Sequence, residues 1–176
     1  IHHVIRAAAA ISEETSFVVI GSQAAWVQFP ELPEEMMNSP ELDIFPRLRP
    51  DLADLIEGSI GRDSIFHETH GYYADAVGPE TAKLPPGWEE RAVRLRGVDN
   101  VEVTAPDIHD LAVSKLVAGR PKDLDWLIAG AKAGLIDADQ VRSLLDTMPE
   151  SQQILDLARA RLARLAYTHG SKGFGI

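Results

Sequence analysis

Residues 17–20, Phe-Val-Val-Ile, form an unbroken apolar run that stops at Gly21. A run this short and rich in β-branched side chains makes a buried strand, which demands a layered fold with cover on both sides. Ser22 follows where a helix N-cap is expected, ahead of a helix over 23–29 that Pro30 closes. Residues 31–40 read as a loop, and Glu41-Leu-Asp-Ile-Phe45 as a second strand between Pro40 and Pro46. Side chains two apart on a strand share a face, so Glu41 and Asp43 project one way while Leu42 and Ile44 project the other. Two unpaired carboxylates so close repel one another. They become favourable together around a divalent cation, and magnesium takes one or two carboxylates alongside substrate phosphates.

The surrounding pattern is mixed up to about residue 106 and helical beyond it. A helix is expected over 2–12, and another over 49–61 with Leu52, Leu55 and Ile56 on its apolar side. A strand is expected in Gly-Tyr-Tyr-Ala-Asp-Ala-Val-Gly (71–78), a turn at Leu84–Glu90, and a strand pair over 91–106 joined around Gly97 to Asn100. Four helices follow, over 107–119, 122–134, 137–148 and 152–167, the third opened by a capping box of Asp137 and Gln140. The Gly-rich tail from Thr168 is expected to fray. The fold class is α+β: a small mixed sheet in residues 1–106, with a helical part over 107–176 packed on it and the site in the groove between them.

Composition removes several chemistries. There is no cysteine, so disulfides, thiolate metal sites and cysteine nucleophiles are out, and a reducing cytoplasm is the expected location. No apolar run is long enough for a membrane helix, and Val4–Ile11 is too short for a secretory signal. A net charge of −10 opposes a long nucleic-acid footprint, since such binding depends on neutralising many phosphates. Two local basic clusters stand against that background: Arg91, Arg94 and Arg96, read as solvated surface, and Lys115, Arg120 and Lys122.

The order strand, Gly21-Ser22, helix, loop, then a strand with Glu41-x-Asp43 resembles the nucleotidyltransferase superfamily with its polymerase-β-like fold. Lys115, followed by Arg120-x-Lys122-Asp123, narrows the resemblance to the toxin-like AbiEii and MenT nucleotidyltransferases and the related DUF6036 type. The likeness spans roughly residues 15–130. It implies that Glu41 and Asp43 hold magnesium against a nucleotide triphosphate, with a third acid completing a two-metal site. Asp75 is preferred for that role because it follows by one helix, with Glu102 as the alternative. Gly21 and Ser22 would cradle the terminal phosphates, Lys115, Arg120 and Lys122 would supply cations, and Asp123 would pair with them or act as a base.

The implied activity is transfer of a nucleoside monophosphate from a triphosphate to an RNA, such as tRNA, or to a protein. A toxin–antitoxin setting, with an antitoxin as partner, goes with that branch. The alternative is a degenerate, binding-only relative, since Glu stands where many members have Asp and Pro40 constrains the approach. Other residues carry less. His67 and His70 have a helical zinc spacing but no third ligand, and His109 reads as structural or exposed. Ser114 has no matching triad. Trp26, Trp88 and Trp126 read as core, with Trp88 the one nearest an entrance.

Overall fold

A computed structural model describes residues 1–170, leaving out the side chains of 96–98 and 166–170; the end of the tail, 171–176, lies outside it. In chain order the elements begin with α1 (His2–Ser12), β1 (Ser16–Ile20), a 310 turn (Ser22–Val27), α2 (Glu34–Met37) and β2 (Glu41–Pro46). A second 310 turn (Pro50–Leu52) leads into α3 (Ala53–Ile60), α4 (Ile65–His70), β3 (Tyr73–Ala76) and α5 (Trp88–Arg91). The hairpin β4 (Val93–Val98) and β5 (Val101–Ala105) precedes α6 (Ile108–Ala118), α7 (Pro121–Lys132), α8 (Ala138–Leu145) and α9 (Gln152–Gly170). Among the described residues no helix is long and apolar enough to cross a membrane.

The five strands form one mixed sheet in the order β3-β2-β1-β5-β4. β1 runs antiparallel to β2 and parallel to β5, and β2 runs parallel to β3. Alternation gives the sheet two unlike faces. Phe17, Val19, Leu42, Ile44, Ala74 and Val103 enter the main core, where α1 and α3 pack. On the opposite face Val18, Ile20 and Phe45 make a small apolar patch under Val77, Ala82, Leu84 and Trp88. The same face carries Glu41 and Asp43, because Ile20 stands across from Asp43 and Val18 across from Phe45. The main core also takes in Leu111, Leu116, Trp126, Leu145 and Leu162, so the sheet and the C-terminal helices share one apolar interior.

Several local expectations change. The helix expected after Gly21 is a six-residue 310 turn, tied sideways by the Gln23 side chain, which donates to the carbonyls of Met37 and Ser39 at 2.9 and 2.6 Å. The loop before β2 contains α2, a single turn that buries Met36 completely. α3 turns Ala53, Ile56 and Ile60 inward and leaves Leu55 exposed, one step off the expected stripe. The hairpin turns at Asp99 and Asn100, with φ of 51° and 67°, the paired positive values of a two-residue type I′ turn; Gly97 sits instead in an irregularity of β4.

Caps explain where the C-terminal helices start. The Asp107 side chain accepts from the His109 N–H, Pro121 occupies the first turn of α7, and Asp137 accepts from the N–H groups of Asp139 and Gln140. The second half of the expected capping box is replaced. The Asp137 N–H donates to His109 Nε2 at 3.1 Å, while His109 Nδ1 faces Asp107 at 2.7 Å, so one imidazole staples the starts of α6 and α8. Arg91 is not solvated surface as expected: it donates through Nε and Nη2 to Asp110, which is fully buried in α6, at 3.1 and 2.6 Å. Arg94 is exposed, and the side chain of Arg96 lies outside the described residues.

Removing a partner from a buried ion pair leaves an uncompensated charge, so Arg91→Met is expected to cost about 3 kcal/mol in urea denaturation. Arg91→Met combined with Asp110→Leu should recover most of that loss; an equal loss in both variants would show that the charge is not what matters.

Candidate functional site

The acid strand owes its position to register. In the parallel pairing of β2 and β3, Glu41 lies opposite Tyr73 and Asp43 opposite Asp75. The sheet therefore stacks two rows on one face, a glutamate beside a phenol and an aspartate beside an aspartate. The rows differ electrically. Glu41 is satisfied: Oε1 accepts from Lys122 Nζ at 2.9 Å, and Oε2 accepts from the Tyr73 hydroxyl at 3.0 Å and lies 3.6 Å from Arg62 Nη2. The Lys122 contact above all holds its carboxyl below the usual range. Its burden falls on Tyr73, whose phenol is pushed up to about 12 by burial and by its bond to Glu41.

Asp43 has none of this. Among the described residues no donor reaches the carboxylates of Asp43 or Asp75. Burial first, then the charges of Asp75 and Glu41, raise the Asp43 carboxyl to about 6, against a pull downward from Lys115 and Lys122. Gly21 is the reason the turn can close on it. Its φ of 71° and ψ of −158° belong to a region that side chains avoid, and a Cβ there would overlap the Asp43 carboxylate.

Across the cleft stands a buried cation. Lys115, at 4% exposure, projects from α6 to donate to Ser22 Oγ at 2.9 Å and to Asp123 Oδ1 at 3.1 Å, with the Trp126 ring 4.8 Å from its Nζ. Burial lowers its ammonium, and Asp123 opposes that shift. Asp123 is itself fully buried and takes two more bonds from Arg120, at 2.7 and 3.2 Å. Burial alone would raise its carboxyl, but Arg120 and Lys115 together hold it low. A carboxylate enclosed by two cations has no surface to offer an acceptor, so its place is that of an organiser of Lys115 and Arg120 rather than a base. Trp126 also donates to the Ser22 carbonyl at 3.2 Å, which clamps the turn onto α7.

These groups line one cleft of about 430 Å³, with Gly21, Ser22, Glu41, Asp43 and Asp75 on the sheet side and Lys115, Arg120 and Lys122 on the helical side. Sequence reasoning placed Ser22 as a helix cap. The hydroxyl instead serves Lys115, and the short 310 turn behind it has no side-chain cap bond. Lys115 is interior, not one of the solvent-facing residues of an amphipathic helix. Glu102 stands across from Ser16, at the other end of β1 from Ile20, and pairs with Arg47 at 3.7 Å, so it does not reach the cleft. Tyr73 and Arg62 were missed. Arg62 follows the Gly61 helix stop and reaches back over the Tyr73 ring at 5.1 Å, a contact no local pattern announces. Neither His67 nor His70 lines the cleft: the His67 ring packs on Tyr73 at 4.6 Å with its Nδ1 accepting from the Asp63 N–H at 3.0 Å, and His70 stacks with Tyr72 near His3 and Phe66. Trp126 is core, Trp26 packs on the core's rim, and Trp88 covers the small apolar patch.

The donor set fits one hard divalent cation better than a ready cluster of three acids. Asp43 and Asp75 are adjacent, lack hydrogen-bond donors and face the cleft, which is what such an ion relieves. Among the described residues no group of three acids or histidines converges as a metal site, in keeping with the capture of Glu41 by Lys122. The family model described as "Nucleotidyltransferase of unknown function (DUF6036)" matches residues 1–174. No curated protein and no solved structure matches the chain.

A carboxyl raised from 3.8 to about 6 binds its proton more tightly folded than unfolded, so stability falls as pH rises from about 4 to about 6 and stays reduced above. With a chelator present, Asp43→Asn is therefore expected to exceed the wild type at pH 7.5 by on the order of 2 kcal/mol and to match it near pH 4. Urea denaturation at both pH values checks this; a gain independent of pH would sink the electrostatic account.

Proposed function

We propose, for a chain that belongs to the DUF6036 nucleotidyltransferase family, that it transfers a nucleoside monophosphate from a nucleotide triphosphate to a hydroxyl of an RNA or protein acceptor. The observation that carries this reading is the pairing of two unsatisfied carboxylates, Asp43 and Asp75, with a buried lysine bonded to the hydroxyl of a Gly-Ser turn across one cleft. Asp43 and Asp75 would hold a magnesium ion, which when bound supplies charge neutralisation and Lewis acidity at the reacting phosphate.

The chain's own residues do the rest. Gly21 lets the backbone approach without a side chain in the way, and Ser22 and Lys115 face the triphosphate as a preset donor pair. Two N–H bonds of Lys115 are already used, which fixes its direction and leaves one donor for a phosphate oxygen. Arg120 and Lys122, at 61% and 57% exposure, stand at the mouth and can follow the phosphates as they enter. The acceptor oxygen attacks the α-phosphorus, the α–β bond breaks, pyrophosphate leaves and the acceptor proton goes to water. A net charge of −10 favours a short grip on one end of an RNA over a long footprint. A toxin role, with an antitoxin covering the cleft, extends the likeness to the AbiEii and MenT enzymes.

One observation favours a second reading, nucleotide binding without turnover: Glu41 is locked by Lys122 and Tyr73 and so is withheld from a second metal. Calorimetric titration of the four ribonucleotide triphosphates with magnesium, followed by incubation with labelled triphosphate and total cell RNA and protein, separates the two. Transfer predicts magnesium-dependent binding weakened at least about tenfold by Asp43→Asn, with label on an RNA or protein band. Binding without label supports the second reading, and no binding rejects both.

A further inference from the structure

The cleft continues past the acid pair. Along the strand direction the row Asp43–Asp75 gives way to Phe45 and Val77, so the charged end passes into an apolar end. There Val77 and Ala82 on the sheet side face Leu111, Val117 and Ile154 on the helical side, all of them lining the same cavity as Lys115. The segment after β3 is held over this end. Thr81 Oγ1 accepts from the Gly78 N–H at 3.2 Å, Ala82 and Leu84 pack on the apolar patch, and Lys83 pairs with Glu150 at 2.9 Å.

Three polar residues line this end, Thr81 and Lys83 on the segment after β3 and Ser114 of α6, and the first two are engaged with Gly78 and Glu150. A serine or threonine inside a helix usually satisfies its hydroxyl on the carbonyl four residues back. Four others among the described residues do so: Ser12 to Ala8, Ser59 to Leu55, Thr69 to Ile65 and Ser143 to Asp139, at 2.8, 2.8, 2.6 and 3.0 Å. Ser114 does not, and among the described residues its hydroxyl has no partner. It is one residue from Lys115, on the helix face that looks into the cleft.

We infer that this recess is the nucleobase subsite of the proposed transferase and that Ser114 is the residue that reads the base edge. Aliphatic walls on two sides suit a flat ring of any kind, and among the described residues no aromatic side chain lines the cavity to add stacking strength. Selectivity among bases then rests on the Ser114 hydroxyl, which can either donate or accept, whereas the Thr81 hydroxyl already accepts from the Gly78 N–H. The inference rests on the proposed function, because a nucleobase enters here only if the triphosphate lies on Ser22 and Lys115.

The test compares inorganic tripolyphosphate with the four ribonucleotide triphosphates, each with magnesium, by calorimetry on the full chain. Tripolyphosphate reports the phosphate site alone. Wild type is expected to bind at least one nucleotide about tenfold more tightly than tripolyphosphate. Ser114→Leu should erase that margin without changing tripolyphosphate affinity, and Ser114→Ala should alter the order of preference among the four bases. The recess is overturned if nucleotide and tripolyphosphate bind alike in the wild type, or if Ser114→Leu spares the margin or weakens both ligands equally. Equal losses for all four bases in Ser114→Ala overturn the role of Ser114. Binding of neither ligand overturns the proposed activity and this subsite with it, whereas tripolyphosphate binding without a nucleotide margin overturns the subsite alone.

Discussion

The ion pair between Lys115 and Asp123 is the interaction on which the rest of the site depends. Lys115 is nearly sealed from water and Asp123 completely so. Taking both charges out of solvent costs several kcal/mol apiece, and their attraction repays it only with good geometry and extra bonds. Those bonds come from Ser22 and Arg120, and the Trp126 ring covers Lys115. The network joins three separate parts of the chain: the turn after β1, the last turn of α6 and the first turn of α7. Losing Asp123 would leave Lys115 buried without a counter-charge, and losing Lys115 would leave Asp123 to Arg120 alone and free Ser22 from α6, so the cleft and the packing of α6 and α7 on the sheet are tied together.

Two acids one residue apart end in opposite electrical states, and cross-strand neighbours decide which is which. Glu41 meets Tyr73, which can donate, and lies within reach of Lys122. Asp43 meets Asp75, which as a carboxylate cannot donate, and on its other side faces the apolar Ile20 and the backbone of Gly21. The longer glutamate side chain matters here. It reaches outward to the cations of the rim, whereas the shorter aspartate stays over the sheet. Glu41 thus serves as an anchor of the rim, its carboxylate occupied by Lys122, Tyr73 and Arg62.

Much of this was legible in residues 17–46 because those signals are local. An apolar run, a Gly-Ser step and an alternating acidic strand each declare themselves within six residues, as does the cap at Asp137. What was not legible depends on contacts between distant segments. Asp75 and Glu102 look alike in sequence, each an acid in a short apolar strand. Only the parallel pairing of β2 with β3 brings Asp75 to the cleft, and the pairing of β5 with the far end of β1 carries Glu102 away. The 310 turn replaced a helix for a tertiary reason too, since the amide of Gln23 was needed to hold the segment before β2. Lys115 gave no sign of burial, because its partners lie 93 residues before it and 8 after it.

Charge balance gives the proposed metal a role that geometry alone does not. Around the cleft the carboxylates of Glu41, Asp43, Asp75 and Asp123 are matched by Lys115, Arg120, Lys122 and Arg62, so the site is close to neutral in a chain that carries −10 overall. Three of those cations are already committed to Glu41 or Asp123 through close pairs, and the fourth, Arg62, lies over Tyr73 at the edge. A triphosphate entering alone would bring its negative charge toward Asp43 and Asp75, which no lysine or arginine touches, and would be repelled by both. A divalent cation on that aspartate pair would remove the repulsion and attract the phosphates at once. The same ion would relieve the burial penalty that raises the Asp43 carboxyl, so under the proposed function metal and triphosphate would each make the other's binding easier. Neutral as it stands, the cleft would under the proposed function take the two together rather than either one.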